Sequence, residues 1–296
     1  MAEIFCGDRR AEAAGPVPRG IGAADWDLVS AGVRQRVLVL EAFLADVYGP
    51  GRAFDDGVVP WRALFTSGTF RREAAGLTPP NGVRVHLAGI DLVRDERGGF
   101  WVLGDNVCVP SGDGYLLADR LACARLLGAL RAAAPRGVAD PLVVMLTPGA
   151  HDDAYLEHAL LARHMGVELV EGRDLSCRHG RVYAHTTRGS RPVDVIWRRV
   201  DDDWLDPLHF RPDSPLGCPG LVNAARRGTV TIANGIGNGV AQDRLVYPYL
   251  PDLIRYYLAE DPILDNAGPG RLGNRDVLRT FAVNDGTGIW VLPGGV

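Results

Sequence analysis

Apolar residues recur at intervals of three and four near the start of the chain, at Trp26, Val29, Val33, Val37, Leu40, Phe43, Leu44 and Val47. This period places them on one face and predicts an amphipathic α-helix. Asp25 is suited to cap its N-terminus, and Gly49-Pro50 ends the helical pattern. A shorter helix is predicted near Pro60 to Phe65.

After Val83 the pattern changes to β-branched and aromatic residues. Two apolar runs, VRVHLAGIDLVRD and FWVLGDNV, flank the polar turn ERGG and predict a β-hairpin. Helical spacing of Ala, Leu and Arg predicts a further helix from Leu116 to Ala134. The Pro and Gly residues at positions 135–141 are the best candidate for a domain boundary.

The second half alternates short apolar runs with a helical segment. Strands are predicted at PLVVMLT, VELVEG, VDVIWRRV and TVTIANG, a helix at AYLEHALLARHMG, and a hairpin around CRHGRVYAH. A buried strand, a helix and another buried strand make a βαβ unit, so a parallel sheet with helices on its faces is expected. A last helix is predicted from Val240 to Ala259, and the pattern loses its period after Asp261-Pro262.

Composition narrows the classes of partner. A chain of 296 residues with 47% hydrophobic residues can bury the core of one large or two modest α/β domains. A net charge of -4, with basic residues spread singly, indicates neither a nucleic-acid nor a membrane partner. The sequence shows no signal peptide and no run long enough to span a membrane, so a cytoplasmic protein is expected.

Two residue types limit the chemistry further. All 32 basic residues are arginine, which removes every lysine-dependent mechanism. The five cysteines are scattered, without a C-x-x-C pair, and are interpreted as free thiols that are mostly buried.

The predicted hairpin carries a candidate metal site. Asp91 and Asn106 lie on its neighbouring strands, and magnesium prefers carboxylate and amide oxygens beside phosphate oxygens and water. Downstream, Pro110-Ser111-Gly112 is predicted to form a small loop whose backbone N–H groups could approach a phosphate. The alternative is that Asp91 and Asn106 only satisfy turn backbones at the strand ends.

A glycine-rich loop, Gly235 to Gly239, joins a predicted strand to a predicted helix. Such a loop can bind a dinucleotide through backbone amides. Here the third glycine comes one residue early, and no acid follows at the expected distance, so a nicotinamide or flavin site is the weaker interpretation.

Several longer blocks resemble one known family. They are PRGIGAADWDLVSAGVRQRVLVLEAFLADVYG, VHLAGIDLVRD, DNVCVPSGDGYLLADR, LTPGAHDDAYLEHALLARHMGVELVEGRDL, VDVIWRRVDDDWLDP and FRPDSPLGCPGLVNAARRGTVTIANGIGNGVAQDR. From about Pro18 to Leu264 they resemble circularly permuted type-2 ATP-grasp proteins, which are carboxylate–amine ligase relatives similar to glutathionylspermidine synthases.

The resemblance implies an α/β fold in which a partial ATP-grasp α+β half joins a Rossmann-like pre-ATP-grasp βαβ domain with a mostly parallel sheet. The expected division is a loose lead-in (1–24), helices plus the catalytic-half hairpin (25–135), the βαβ domain (136–264) and a remnant tail (265–296). ATP and Mg²⁺ are the implied cofactors, and a small-molecule carboxylate and an amine or peptide are the implied substrates.

Two positions depart from the resembled family. ATP-grasp enzymes resemble one another in an acid followed by twelve residues and then Glu-x-Asn. Counting from Asp91, that Glu falls at Gly104. Asp105 should face away, since Gly104 shares its strand face with Asn106 unless a bulge re-aims it. Cys108 stands where the family usually has arginine, and the lysine strand and glycine-rich loop that sandwich ATP have no counterpart.

The remaining site residues follow from the same resemblance. Arg198, Arg199 and Asp202 are candidate catalytic residues, with a local ion-pair network on a solvated rim as the alternative. By the same resemblance, Asn234, Gly239, Asp243 and Arg244 would face the nucleotide, and Tyr155, Glu157, Arg188 and Arg211 would bind substrate. His158, on the same predicted helix, reads as a structural residue.

Three functions remain open. An intact relative would transfer the terminal phosphoryl group of ATP to a carboxylate, and an amine would attack the acyl phosphate. This chain is either an impaired, non-catalytic relative that binds a ligand or partner, or a ligase completed by another chain or by a magnesium site rearranged through Asp105. The third hypothesis is a truncated product with no selected function.

Overall fold

The computed structural model describes residues 21–110, 120–187, 189–268 and 277–292. Its α-helices are α1 (Ala23–Val47), α2 (Arg52–Asp55), α3 (Trp61–Thr66), α4 (Arg120–Ala132), α5 (Tyr155–Met165), α6 (Asp202–Leu205), α7 (Leu221–Arg226) and α8 (Leu250–Leu258). Short 3-10 segments cover Arg72–Ala74, Gly172–Asp174, Asn238–Gln242 and Tyr247–Tyr249.

The strands form three sheets. They are β1 (Leu87–Arg94), β2 (Phe100–Asn106), β3 (Val143–Leu146), β4 (Glu168–Val170), β5 (Leu175–Arg178), β6 (Arg181–Thr186), β7 (Gly189–Val193), β8 (Val195–Arg198), β9 (Thr231–Ala233), β10 (Asp265–Asn266), β11 (Val277–Asn284) and β12 (Ile289–Leu292). Their orders are β10-β2-β1-β11-β12, β4-β3-β8-β9 and β5-β6-β7.

The first sheet is built on the predicted hairpin. β1 pairs antiparallel with β2 on one side and with β11 on the other, so residues distant in sequence complete the sheet. The segment expected to be a remnant tail therefore supplies three of the five strands. The proposed domain division stays a prediction.

Opposite faces of this sheet enter different cores. Ile90 and Ala282 pack in a cluster with Val33 and Leu40 of α1. On the other face, Phe281 joins α4 residues and the four-stranded sheet in a second cluster. The apolar face of α1 is buried as its spacing predicted, with Trp26 only half-buried.

The predicted βαβ unit is confirmed. β3, α5 and β4 follow one another, and β3 pairs parallel with both β4 and β8. The chain moves outward from β3 to β4, then crosses to β8 and β9 on the other side of β3. The strand order thus reverses between β3 and β8, the place where open α/β sheets usually form a binding crevice at the carboxyl ends of the strands.

Two predicted details are wrong. The helix expected from Val240 to Ala259 is broken into two 3-10 segments and α8, which begins only at Leu250. Asp25 does not cap α1, because the cap position is Gly22; Asp25 lies in the first turn and pairs with Arg94. Within the ranges that the structure describes, no helix has the length and apolar character to cross a bilayer.

Candidate functional site

A row of three residues crosses the first sheet at the predicted metal site. Asp91 of β1 lies opposite Arg279 of β11 and opposite Gly104 of β2. Arg279 donates from Nε to Oδ1 of Asp91 at 2.6 Å and from Nη2 to Oδ2 at 3.0 Å. Both oxygens of Asp91 are therefore engaged by one guanidinium, in the bidentate geometry that favours Arg–carboxylate pairs.

A β-bulge sets which residues of β2 share this face. The register shifts between Asp91 and Leu92, so that Leu92 lies opposite Val102 and Asp91 opposite Gly104. Gly104 and Asn106 consequently lie on the face of Asp91, as expected, while Asp105 faces the other way. The bulge precedes Gly104 and does not re-aim Asp105.

Asp105 meets a different cation beneath the sheet. Arg36 of α1 donates to both of its carboxylate oxygens, at 2.5 and 2.8 Å, and both side chains are only 1% exposed. The arginine lies between Val33 and Val37 on the buried face of the helix. The pair is a buried ion pair between α1 and the sheet, separated by the sheet from Asp91.

Asn106 keeps one feature of a metal ligand. Its Nδ2 donates to the carbonyl of Val109 at 3.3 Å, whereas its buried Oδ1 has no hydrogen-bond partner among the described residues. The carbonyl of neighbouring Pro110 accepts a bond from Arg199 at 2.6 Å. Ser111 and Gly112, predicted with Pro110 to approach a phosphate, lie outside the described residues.

The residues present do not fit a magnesium site. Asn106 offers one neutral oxygen, Asp91 is held by Arg279, position 104 has no side chain, and Asp105 faces away. Among the described residues, no group of three or more acidic, His or Cys side chains is arranged to hold a metal ion. Magnesium coordination in proteins usually needs one or two free carboxylates.

The candidate catalytic arginine Arg198 is fully buried at the end of β8. Its guanidinium donates to the carbonyls of Asn234, Val200 and Gly235 at 2.8–3.0 Å and to the sulfur of Cys108 at 3.3 Å. Burial lowers the pKa of Arg198, but Asp202 and Cys108 outweigh it and hold that pKa above its usual value.

The partners of Arg198 are buried with it. Asp202 pairs with its NH1 group at 2.9 Å and accepts the N–H of Gly237 at 3.0 Å. Burial raises the pKa of the Cys108 thiol to about 12. Arg198 and Asp202 are thus joined in a buried network that fixes backbone carbonyls, and not in an ion-pair network on a solvated rim.

The predicted nucleotide-facing residue Asn234 also bonds to the backbone. Its Oδ1 accepts the N–H groups of His86 and Leu87, and its Nδ2 donates to the carbonyls of Leu87 and Cys108. These bonds join the end of β9 to the start of β1, so Asn234 connects the two main sheets.

The glycine-rich loop has little room for a dinucleotide. Tyr48 donates to the carbonyl of Gly237, and a Cβ on that glycine, whose φ is +84°, would lie 2.4 Å from the Tyr48 hydroxyl. The N–H of Gly235 bonds to Arg84, and that of Gly237 bonds to Asp202. The segment that follows is a five-residue 3-10 turn rather than an α-helix, which disfavours the nicotinamide or flavin interpretation.

The other nucleotide candidates lie at the edge of this loop. Gly239 packs against Thr69. Asp243 accepts the hydroxyls of Ser67 and Thr69 at 2.5 and 2.8 Å; burial alone raises its pKa, but these bonds and the Leu245 N–H outweigh it and lower the pKa. Arg244 is exposed.

Arg199, Glu157 and His158 meet near the crevice between β3 and β8. Arg199 lies 4.0 Å from Glu157 and stacks over the Trp197 ring, with 5.5 Å from its Cζ to the ring centroid. His158 shares a hydrogen bond with Thr147 at 3.0 Å, and burial, with a smaller contribution from Arg199, lowers its pKa to about 3. His158 is a structural residue, as expected.

The remaining substrate candidates are dispersed. Tyr155 begins α5, two residues before Glu157. Arg211 is exposed, pairs with Asp213 at 2.9 Å and stacks on Trp204 at 3.9 Å, so it does not join the Arg199 group. Arg188 lies outside the described residues.

The two arginines that bind the acids of β1 and β2 were not identified from the sequence. Arg36 had a visible signal, because a charge stands within the apolar stripe of α1. Arg279 had none, since its segment showed no period and its partner Asp91 is 188 positions away.

A mainly antiparallel sheet carrying the acid and the asparagine of an ATP-grasp motif, beside a parallel βαβ sheet, defines an ATP-grasp-like mixed α/β protein. A family described as "A circularly permuted ATPgrasp" matches residues 122–281, and "Circularly permuted ATP-grasp type 2" matches residues 18–129. The chain belongs to the circularly permuted ATP-grasp family.

Relatives extend well beyond the matched region. An uncharacterized protein of Mycobacterium tuberculosis is 52% identical over 270 residues, covering 84% of this chain and 49% of the relative. A Synechocystis protein is 44% identical over 270 residues, covering 84% of this chain and 56% of its own length. A Frankia casuarinae protein provisionally named glutamate–cysteine ligase 2-2 is 43% identical over 274 residues, covering 84% of this chain and 31% of the relative. The chain spans about half of its mycobacterial relative.

Proposed function

We propose that this protein is a carboxylate–amine ligase relative whose own ATP- and magnesium-dependent chemistry is impaired, and that it retains a binding role for a small carboxylate, amine or peptide. The observation that carries the proposal is the bidentate Arg279–Asp91 pair opposite Gly104. The name of the Frankia relative supports the ligase class.

The charge in the Asp91 row explains the impairment. A cation entering this face must displace a guanidinium that already neutralises Asp91, and it gains no second carboxylate from position 104. The absence of lysine from the whole sequence removes one common phosphate-binding side chain as well. The site therefore favours an occupant that does not need a free carboxylate pair.

The retained binding role is assigned to the crevice between β3 and β8. We propose that residues 136–264 form a Rossmann-like pre-ATP-grasp domain and that Arg199 and Glu157 contact a ligand there. Their opposite charges suit a ligand that carries both a carboxylate and an amine.

The test is a calorimetric titration of magnesium-ATP into the purified chain and three variants. We expect no micromolar binding by the natural chain. Gly104→Glu adds a carboxylate where a Cβ meets nothing within 4 Å, and Arg279→Gln frees Asp91. The double variant should bind magnesium-ATP at least tenfold more tightly than either single variant.

Arg94→Gln is the matched control, because it breaks an exposed arginine–aspartate pair with Asp25 on the same sheet. It should bind like the natural chain. Micromolar magnesium-dependent binding of ATP by the natural chain, followed by ADP release with a carboxylate and an amine, would contradict the proposed impairment.

A second candidate is a ligase completed by another polypeptide. The 49% coverage of the mycobacterial relative supports it, because that relative has further sequence that could supply nucleotide contacts. Mixing this chain with the unmatched part of the relative tests it directly. Magnesium-ATP binding in the mixture, and in neither component alone, would favour completion over a retired site.

A further inference from the structure

Two cysteine thiols lie in contact on the side of the molecule that carries the three-stranded sheet. Cys177 is on β5, and Cys218 lies in the segment between α6 and α7. Their sulfur atoms are 3.6 Å apart. A disulfide bond is about 2.05 Å long, so an approach of roughly 1.5 Å separates the two thiols from a covalent link.

The contact is held by the backbone around Cys218. The N–H of Cys218 bonds to the carbonyl of Leu205 at 3.0 Å. Asp206, which is fully buried, accepts the N–H groups of Gly220 at 3.1 Å and Val222 at 2.9 Å. These bonds fix the backbone at Cys218 and just after it.

Gly220 allows this chain to pass close to β5. Its φ is +88°, and a Cβ there would lie 3.2 Å from the Cβ of Cys177. A side chain at position 220 would therefore separate the strand from the Cys218 segment. The two thiols are neighbours because both backbones are placed for it.

The two thiols differ in access and in acidity. Cys177 is half-buried, whereas Cys218 is fully buried. The hydrogen bond between the two thiols lowers the pKa of Cys177, against the effects of burial and of Asp206. The same bond, together with burial, raises the pKa of Cys218. Cys177 is thus the thiol that an oxidant reaches first.

We propose that Cys177 and Cys218 form a reversible disulfide when the protein meets a hydroperoxide. The Cys177 sulfur attacks the terminal oxygen of the hydroperoxide, the O–O bond breaks, and the thiol proton leaves with the alcohol or water formed. The Cys218 sulfur then displaces the oxygen of the sulfenic acid on Cys177, and its proton leaves in the water released. Two thiols lose two electrons in total, and the hydroperoxide gains them.

The disulfide would close a loop of the chain that contains residues of the buried Arg198–Asp202 network. Arg198 and Asp202 both lie between the two cysteines in sequence. Closing this loop restricts the unfolded chain and so stabilises the folded one. Oxidation should raise the midpoint of thermal unfolding by several degrees.

The test exposes the natural chain to a small molar excess of hydrogen peroxide, followed by alkylation of the remaining thiols and digestion with trypsin. Because every basic residue is arginine, and trypsin does not cut before proline, Cys177 is recovered in residues 174–178 and Cys218 in residues 200–226. We expect these two peptides cross-linked in most molecules, separated again by a phosphine reductant, with the stabilisation lost on reduction.

Matched variants assign the chemistry. Cys177→Ser and Cys218→Ser should each abolish the cross-link and the thermal shift, and Cys218→Ser should leave a sulfenic acid on Cys177 that a dimedone probe labels. Cys123→Ala, on the buried face of α4, should keep the cross-link. Alkylation of both thiols after peroxide, links mainly through Cys6 or between molecules, or sulfinic acid on Cys177 in the natural chain would overturn the proposal.

Discussion

Two arginine–aspartate pairs include residues of the two main sheets, and they differ in almost every physical respect. Arg279 and Asp91 are 36% and 28% exposed and are joined by two hydrogen bonds, whereas Arg198 and Asp202 are 0% and 5% exposed and also bind backbone groups. Removing the exposed pair should cost the fold little, because solvent screens both charges. Removing one partner of the buried pair should cost much more, because it leaves several polar groups without partners.

The largest effect should come from the buried pair. Arg198→Leu leaves the Asp202 carboxylate without its counter-charge and three carbonyl groups without this donor, so we expect a loss of about 3–5 kcal/mol in the free energy of unfolding. Urea unfolding followed by circular dichroism measures it. Arg198→Leu combined with Asp202→Leu should recover part of the loss, and a loss below about 1 kcal/mol in the single variant would remove the distinction between the two pairs.

The Arg36–Asp105 pair should give an effect of similar type and somewhat smaller size. Arg36→Met keeps the apolar packing of the helix but leaves the buried Asp105 carboxylate uncompensated, so we expect a loss of about 2–4 kcal/mol. Urea unfolding of Arg36→Met and of Arg36→Met with Asp105→Leu makes the comparison. A double variant no more stable than the single one would show that the charge of Asp105 is not the cause.

Stability should also fall as the pH is lowered from about 6.5 towards 4. Burial lowers the pKa of His86 to about 4 and that of His158 to about 3, so both bind a proton more readily in the unfolded chain. Their contribution is full above the unfolded pKa near 6.5 and falls by roughly 1–2 kcal/mol for each histidine at pH 5.

Unfolding in urea at pH 7, 6 and 5 measures this slope. His158→Asn should reduce the slope, because the buried group that prefers the neutral form is gone. His164→Gln, at an exposed position of the same helix, is the matched control. An unchanged slope in His158→Asn would contradict the assignment.

The smallest effect on stability should come from the exposed pair. Arg279→Gln should change the free energy of unfolding by less than about 1 kcal/mol, because solvent screens the two charges. The same variant is expected to increase magnesium affinity, which the calorimetric titration detects. A large destabilisation without any gain in magnesium binding would mean that the Arg279–Asp91 pair stabilises the fold as the Arg198–Asp202 pair does.

The sequence predicted those elements whose pattern is local. The spacing of Val29, Val33 and Val37 predicted α1, and the βαβ unit from β3 to β4 followed from apolar runs around a helical segment. The predicted helix from Val240 failed because Asn238 and Gln242 bond to the backbone near Val107 and keep this segment in turns.

The site was only partly predictable for the same reason. Alternation along β2 was enough to place Gly104 and Asn106 on one face and Asp105 on the other, as found. The arginine partner of Asp91 was not predictable, because Arg279 lies on a strand without a recognisable period. The mainly structural role of Arg198 depends on carbonyls that no residue pattern reveals.

The position of β11 inside the first sheet, between β1 and β12, bears on how the chain folds as it is made. β1 gains its second neighbour, β11, only after Arg279 has been synthesised, 188 positions after Asp91. At ribosomal rates of about 5–20 residues per second, this interval lasts roughly 10–40 s. During it, one edge of β1 stays unpaired next to a hydrophobic hairpin, which makes the nascent chain a target for chaperones or for mispairing with other strands.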